Sequence, residues 1–233
     1  WNCREALQDC LAGLAGQRFR DFETIVVDSG STDGTAEAAE AAGVRLLRRT
    51  ARSFRYGDTL NLGFREAASP ILGALSAHSI LLDPEALGRL AAALRQADDR
   101  VAAVYGCAVF SETEARQPPA DAKPLRVTAE QFTQSCDRGL SNSCSLIRRD
   151  LWEAHPFPAE RCEDQRWAAH FLDRGYATLQ LPSVRYRYRL DRPWSYYVRK
   201  HRDDLLMLHR TWPAAAWPKS ALTDAAKVRY RFW

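Results

Sequence analysis

The chain of 233 residues lacks the short signatures of several large protein classes. Neither GxGxxG nor GxxxxGK[ST] occurs, which excludes the dinucleotide fingerprint and the phosphate-binding P-loop. The six cysteines form no CxxC pair, so neither a zinc knuckle nor a thioredoxin motif is indicated. In a chain of this size we expect reduced, mainly buried thiols and a cytosolic protein.

Long apolar runs and a strong charge imbalance are also missing. No run approaches the roughly 20 residues needed to span a bilayer, and the polar opening of the sequence is unlike a secretory signal. The net charge of +4 is too small to indicate nucleic-acid binding by itself. The only methionine is Met207, from which we expect the numbered chain to be a fragment or a processed form.

Strands and helices alternate from residue 2 to about residue 110. This pattern predicts an α/β fold of the Rossmann-like type, with a mostly parallel sheet and helices on both faces. After a surface loop over 111–123, strands become fewer. We expect one domain over 1–190, followed by a C-terminal segment, 191–233, that contains a helix over 193–211 and a basic, aromatic tail.

One turn organises the predicted sheet. The apolar run that ends at Val27 leads into Asp28, Ser29 and Gly30, and an alanine-rich helix follows. Ligands of open α/β sheets bind at the carboxyl ends of strands, where Asp28 lies. From the turn alone, a ligand site and an ordinary capped strand–helix turn are equally good interpretations.

Three blocks, in order, give the chain a resemblance to family 2 glycosyltransferases of the GT-A fold. The first is the helix over 3–15 with residues 23–35, ETIVVDSGSTDGT, and the second is residues 56–63, YGDTLNLG. The third is residues 140–149, LSNSCSLIRR, followed by Glu163-Asp164 and Gly175-Tyr176. The resemblance covers about residues 2 to 190. It implies an enzyme that transfers a sugar from a nucleotide-diphosphate sugar to an acceptor hydroxyl.

The resemblance also assigns roles to residues. Asp164 would be the general base of an inverting displacement, with Glu163 beside it; the alternative is helix N-terminal charge without chemistry. Asp28 would accept a hydrogen bond from the nucleotide base. The other residues in contact with the nucleotide-sugar donor would be Ser29, Gly30, Asn61, Gly63, Ser76, His78, Arg185 and Arg187. For Asn61 and Gly63, helix packing is an equal alternative.

The sequence departs from the family at the expected metal motif. Where the family has Asp-x-Asp, this chain has Ser76-Ala77-His78-Ser79, and the position of a later metal-binding histidine falls near Tyr186 or Tyr188. His78 is therefore the one candidate ligand for Mg²⁺ or Mn²⁺, which prefer oxygen ligands. In a second interpretation, arginines at 185, 187 and 189 stabilise the leaving diphosphate, since a guanidinium binds phosphate in a bidentate way.

A second departure is at the start of the sequence. The family begins with a strand that ends in a Pro-x-Tyr-Asn-like motif, and this chain opens at Trp1-Asn2. We therefore expect the central sheet to lack its first strand.

The sequence predicts a transferase of bacterial type that builds a cell-envelope polysaccharide or glycolipid, with a saccharide or lipid-linked acceptor. Basic and aromatic residues in the last forty positions suit an anionic membrane surface, which would place a cytoplasmic enzyme peripherally on the inner face; a packed helix with a basic outer face is the alternative. Nucleic acid is not an expected partner.

Four aromatic residues are candidates for stacking on a sugar: Phe54, Tyr56, Trp152 and Trp167. The other functional hypothesis is a nucleotide-sugar-binding module without catalysis.

Overall fold

The computed structural model describes residues 1–49, 54–116, 122–134, 139–190 and 195. The predicted helix over 193–211 and the basic, aromatic tail therefore lie outside the described residues, apart from Ser195. The first half of the fold alternates helices and strands: α1 (Arg4–Ala15), β1 (Ile25–Asp28), α2 (Thr35–Ala41), β2 (Arg45–Arg48), α3 (Tyr56–Glu66), β3 (Ile71–Leu75), β4 (Ser79–Leu81), α4 (Ala86–Gln96) and β5 (Val101–Val109).

The second half has shorter elements before a long final strand. They are α5 (Glu112–Arg116), β6 (Leu125–Val127), α6 (Ala129–Gln134), β7 (Cys144–Arg148), α7 (Arg149–Ala154), α8 (Glu163–Leu172) and β8 (Ala177–Tyr188). The surface loop predicted over 111–123 is partly wrong, because α5 lies within it. Polar residues with few large apolar side chains hid this short helix, which contacts β8.

The α/β class is confirmed, and the strand pairing is mixed. The larger sheet has the order β3-β7-β5-β8-β4, with β6 also paired to β8. Strands β5 and β8 pair in parallel, and so do β1 and β2, which form a separate two-stranded sheet. The pairs β3–β7, β5–β7, β4–β8 and β6–β8 are antiparallel. Parallel pairing was predicted from the alternating first half alone, and the later strand β7 enters between β3 and β5.

The larger sheet is covered on both faces, as predicted. One face carries an aromatic cluster around Phe64, Trp152 and Trp167, contributed by α3, α7 and α8. The other carries Leu90 and Leu94 of α4, whose four-residue spacing places them on one side of the helix. Strand β5 is buried along most of its length because it lies between both layers and between two strands.

A groove separates the two sheets. Among the described residues, β3 ends the path of the larger sheet and β1 pairs with β2 alone, so one edge of each faces the other across this groove. The groove contains a cavity of about 360 Å³, lined by apolar side chains of α1, α3, β1 and β3. Whether a first strand is missing from the sheet stays a prediction.

Candidate functional site

The turn after β1 is built on the carboxylate of Asp28. Its Oδ2 accepts hydrogen bonds from the backbone N–H groups of Gly30, at 3.1 Å, and Ser31, at 3.0 Å, and its Oδ1 accepts the Ser31 hydroxyl. Burial acts to raise the pKa of Asp28, but the hydrogen bonds from Ser31 and Gly30 outweigh it and hold the pKa below its usual value. Gly30 has φ of +84°, a left-handed conformation that glycine adopts without strain. The turn therefore presents an ionised carboxylate at a strand end.

The same turn is fastened to the start of α1. The carboxylate of Asp33 accepts the backbone N–H of Arg4, at 3.1 Å, and that of Thr35, at 3.0 Å. The Asn2 side chain accepts the N–H of Thr32, at 2.9 Å. One loop thus satisfies donors at the N-termini of both α1 and α2, which fixes the position of Asp28 relative to both helices.

The end of β3 and the start of α8 meet at a short loop, residues 140–143. The carbonyl oxygen of Ser143 accepts the backbone N–H of Ser76, at 3.1 Å. One residue earlier, the backbone N–H of Asn142 donates to Oδ2 of Asp164, at 3.3 Å. The side-chain amide of Asn142 donates to Oε1 of Glu163, also at 3.3 Å. The strand end and the two acidic residues, far apart in sequence, are therefore neighbours.

The two acidic residues differ in exposure. Glu163 is 7% exposed, whereas Asp164 is partly exposed at the first turn of α8. The Oδ1 atom of Asp164 accepts the backbone N–H of Gln165, at 2.8 Å. Since the N-terminus of a helix favours negative charge, the partly exposed carboxylate of Asp164 lies in a favourable position to reach a ligand. The resemblance assigned the base to Asp164, but the sequence did not predict this difference in exposure. It also gave Asn142 no role, although this residue lies in the block 140–149.

Asn61 and Gly63 lie in packing positions on α3. The amide of Asn61 donates to the carbonyl of Phe157, at 2.7 Å, and accepts from the Phe157 N–H, at 3.1 Å, and from the Trp152 indole, at 2.8 Å. A side chain at Gly63 would come within 3.3 Å of Val27. These contacts agree with the packing alternative, and a donor contact by either residue stays a prediction.

His78 lies just before β4, beside the end of β8. Its carbonyl oxygen accepts the N–H of Arg189, at 2.8 Å, and its ring lies 6.0 Å from that of Tyr188. The nearby Tyr186 hydroxyl lies 3.4 Å from that of Ser141, and burial raises the pKa of this phenol above its usual range.

The possible metal ligands at this strand end do not fit a hard divalent cation. Ser76 and His78 bring one hydroxyl and one imidazole, whereas Mg²⁺ and Mn²⁺ prefer several oxygen ligands. Within the described ranges, no three His, Cys, Asp or Glu side chains come close enough together to hold a metal ion.

The three arginines in and just after β8 have different surroundings. The guanidinium of Arg189 turns to α1, where it contacts the carboxylates of Asp9, at 2.6 Å, and Glu5, at 3.3 Å. Arg185 donates to the backbone carbonyl of Glu114 in α5. Arg187 lies in β8 between β4 and β5, opposite Ile80 and Val109. A phosphate contact by Arg185 or Arg187 stays a prediction.

Comparison with solved structures defines the class of fold. The chain superposes with a TM-score of 0.70 on a mannosyltransferase from Pyrobaculum calidifontis in complex with GDP-Man and Mn²⁺, at 21% identity over 87% of this chain and 59% of that one. Glucosyl-3-phosphoglycerate synthase from Mycobacterium tuberculosis gives 0.65, at 18% identity over 94% of this chain and 78% of that one. The predicted GT-A fold is confirmed.

The family follows from the sequence comparison. The model of glycosyl transferase family 2 matches residues 1–155, and the chain belongs to that family. It is also 31% identical over 119 residues to a PGL/p-HBAD biosynthesis glycosyltransferase of Mycobacterium bovis, over 49% of this chain and 46% of the relative; a Mycobacterium tuberculosis protein with the same description matches equally. The match thus spans about half the length of these relatives. No helix in the described part of the chain is both long and apolar enough to cross a membrane.

Proposed function

We propose that the chain is an inverting glycosyltransferase that moves a sugar from a nucleotide-diphosphate sugar to an acceptor hydroxyl. The observation that carries this proposal is the loop 140–143, which brings Asp164 and Glu163 to the carboxyl end of β3. Open α/β sheets bind their ligands at such strand ends. Membership of the glycosyl transferase family and the GT-A fold agree with this activity.

Asp164 acts as the general base in this proposal. The acceptor oxygen attacks the anomeric carbon and gives its proton to Asp164, while the bond to the leaving nucleoside diphosphate breaks. A single displacement of this kind inverts the anomeric configuration. Glu163 is buried between the Asn142 amide and α3, so we assign it a positioning role.

The donor site would begin at Asp28. Its carboxylate has about four lone-pair positions, and three of them accept hydrogen bonds from Gly30 and Ser31, so one acceptor position is left for a base N–H. The other proposed contacts to the nucleotide-sugar donor are Ser29, Gly30, Asn61, Gly63, Ser76, His78, Arg185 and Arg187. No step is assigned to a metal ion, because the side chains of Ser76 and His78 do not form a suitable set of metal ligands.

An Asp164→Asn variant tests the proposed base. Loss of a general base lowers a rate by about 10²–10⁴-fold, so we expect nucleoside-diphosphate release and product formation to fall by that amount. The matched control is Asp173→Asn at the opposite end of α8, which should leave both rates unchanged. Equal rates in the Asp164→Asn variant and the wild type would refute the assignment, and a product with the donor's anomeric configuration would refute inversion.

A nucleotide-sugar-binding module without catalysis is the second candidate, because hydroxyl and imidazole groups stand where the family has carboxylates. A panel of UDP-, GDP- and dTDP-sugars tested by thermal shift, followed by turnover assays, separates the two. A donor that raises the melting temperature but releases no nucleoside diphosphate favours the module.

We propose a role in the synthesis of a cell-envelope polysaccharide or glycolipid. The mycobacterial relatives are described as glycosyltransferases of PGL/p-HBAD biosynthesis. We infer a saccharide or lipid-linked acceptor and a cytoplasmic enzyme that lies peripherally at the inner membrane face. Liposome flotation of the chain with and without residues 213–233 tests the membrane part, and equal flotation would remove it.

A further inference from the structure

We propose that Phe54 and Tyr56 form an aromatic platform that binds the sugar ring of the acceptor beside Asp164; the proposal rests on the role of Asp164 proposed above. Their ring centroids lie 4.7 Å apart with planes at 83°, an edge-to-face pair. The residues are 44% and 56% exposed, so the pair offers apolar ring surface to solvent just before and at the start of α3.

The structure separates this pair from the other aromatic candidates. Trp152 is 3% exposed and Trp167 is fully buried. Their indole N–H groups donate to Asn61 and to the carbonyl of His155, both at 2.8 Å. Two tryptophans buried and bonded in this way belong to the core and offer no surface for a ligand.

Contact between α3 and α8 places the platform beside the proposed base. Gly57 directly follows Tyr56, and a Cβ atom at Gly57 would lie 3.5 Å from Cβ of Glu163. The first turn of α3 therefore packs against the first turn of α8, which carries Asp164. A group that stacks on Tyr56 stands next to the carboxylate that would take the acceptor proton.

Charged side chains close to Phe54 and Tyr56 in the sequence would supply the polar groups of a sugar site. The guanidinium of Arg55, between the two aromatic residues in sequence, lies 3.7 Å from the carboxylate of Asp58, and that of Arg49 lies 3.4 Å from it. Ligand sites combine aromatic surface with a few polar groups that fix orientation. In the proposed complex the C–H face of a pyranose would stack on the rings, and its hydroxyls would hydrogen-bond to the arginine and aspartate side chains.

The test uses methyl glycosides as probes for the acceptor sugar. Saturation-transfer NMR of the full chain with methyl β-D-glucopyranoside, methyl α-D-mannopyranoside and methyl α-L-rhamnopyranoside should give signals from the ring protons of at least one probe. A Phe54→Ser/Tyr56→Ser double variant should lower affinity for that probe about tenfold, equivalent to about 1.4 kcal/mol. Tyr56→Phe, which keeps the ring, should retain binding.

Phe22→Ser is the matched control, because Phe22 is also an exposed aromatic residue paired with another ring but lies before the opposite end of β1. It should leave probe binding unchanged. Equal binding by the double variant and the wild type, or no binding of any probe to the wild type, overturns the platform. A loss of UDP, GDP or dTDP affinity in the double variant also overturns it, because the rings would then hold the nucleotide base.

Donor hydrolysis distinguishes this proposal from the proposed function. With water as the acceptor, the Phe22→Ser control should release nucleoside diphosphate at the wild-type rate, whereas Asp164→Asn should not. If the wild-type chain hydrolyses the nucleotide sugar but binds no glycoside, the platform is refuted and the proposed transferase activity is not. A wild-type chain that binds glycosides but never releases nucleoside diphosphate would overturn the proposed transferase.

Discussion

At Gly57, helix α3 packs closely against the segment that leads into α8. A Cβ atom at this position would lie 2.0 Å from the carbonyl oxygen of Pro158 and 2.9 Å from its carbonyl carbon. Backbone atoms cannot move aside as a flexible side chain can. The absence of a side chain at one position thus allows the first turn of α3 to approach the start of α8, where the proposed base lies.

A Gly57→Ala variant should therefore lose stability and activity together. Glycine-to-alanine changes within helices ordinarily stabilise by about 0.5–1 kcal/mol, but overpacking of this kind costs about 1–3 kcal/mol. We expect a lower free energy of unfolding in urea and a lower transfer rate, because Glu163 and Asp164 move with the displaced segment.

Gly88→Ala in α4 is the matched control, because its Cβ would meet Phe19 at 3.5 Å, an ordinary contact. It should leave activity unchanged and stability equal or higher. A Gly57→Ala chain as stable as Gly88→Ala would refute the steric account.

The sequence predicted the position of Asp28 in the fold, but not the packing partners of Asn61 and Gly57. Asp28 was expected at a strand end and lies there, since a β-branched run followed by a Gly/Ser/Asp turn is a local signal. Asn61 carried no such signal: its amide partners, Trp152 and Phe157, are more than 90 residues away in sequence. The packing role of Gly57 is hidden for the same reason, because Pro158 is distant in the chain.

At the scale of elements, a pair of histidines joins the end of α7 to α8. The rings of His155 and His170 lie 3.6 Å apart with planes at 4°. For His155, burial and then the nearby Arg174 lower the pKa; for His170, burial, His155 and Arg174 lower it. Asp173 acts in the opposite direction on His170 without reversing the shift.

This pair predicts a loss of stability at acidic pH. A histidine whose pKa is lower in the folded state binds protons more readily when unfolded, so its contribution is intact above about pH 6.5 and is lost as pH falls through the folded-state pKa values. Thermal melts of the wild type and of His155→Asn/His170→Asn between pH 7.5 and 5 measure the effect. The double variant should lose less stability over this range, and parallel curves would contradict the prediction.

Elements with strong periodicity were predicted best. The sequence predicts helices over 3–15, 57–68, 84–97 and 163–174 and strands over 71–75 and 101–110. The observed α1, α3, α4, α8, β3 and β5 agree with these bounds to within a few residues. The sequence did not predict β4, α5, β6 or α6, each three to six residues long. Such segments are too short to show a period, and β6 exists through pairing with β8, about 50 residues later.

The whole molecule shows a limit of a different kind. Local patterns predicted alternating strands and helices, but strand direction depends on which strands become neighbours. Strand β7 comes from the later part of the chain and lies antiparallel to both β3 and β5. A sequence read segment by segment does not contain that pairing, so the mixed sheet became visible only in the assembled fold.

The groove between β1 and β3 gives a prediction for the whole fold. Leu7 and Leu11 cover it from α1, and Leu60 and Phe64 line it from α3, so its interior is apolar. Two strand edges with hydrogen-bonding groups face each other across it, and edges of this kind accept an added strand. Asn2 donates its backbone N–H to Ser31, at 2.9 Å, just beyond the carboxyl end of β1. A strand parallel to β1 would therefore lead directly into residue 1.

We expect a six-residue apolar, β-branched segment, fused before Trp1, to enter this groove and pair with both edges. Backbone pairing and burial of apolar surface should raise the melting temperature and lower the fluorescence of a dye that binds exposed apolar surface. The matched control has proline at the second and fourth added positions, because proline lacks the N–H that the ladder needs. The same melting temperature for the two fusions would show that the groove does not accept a strand.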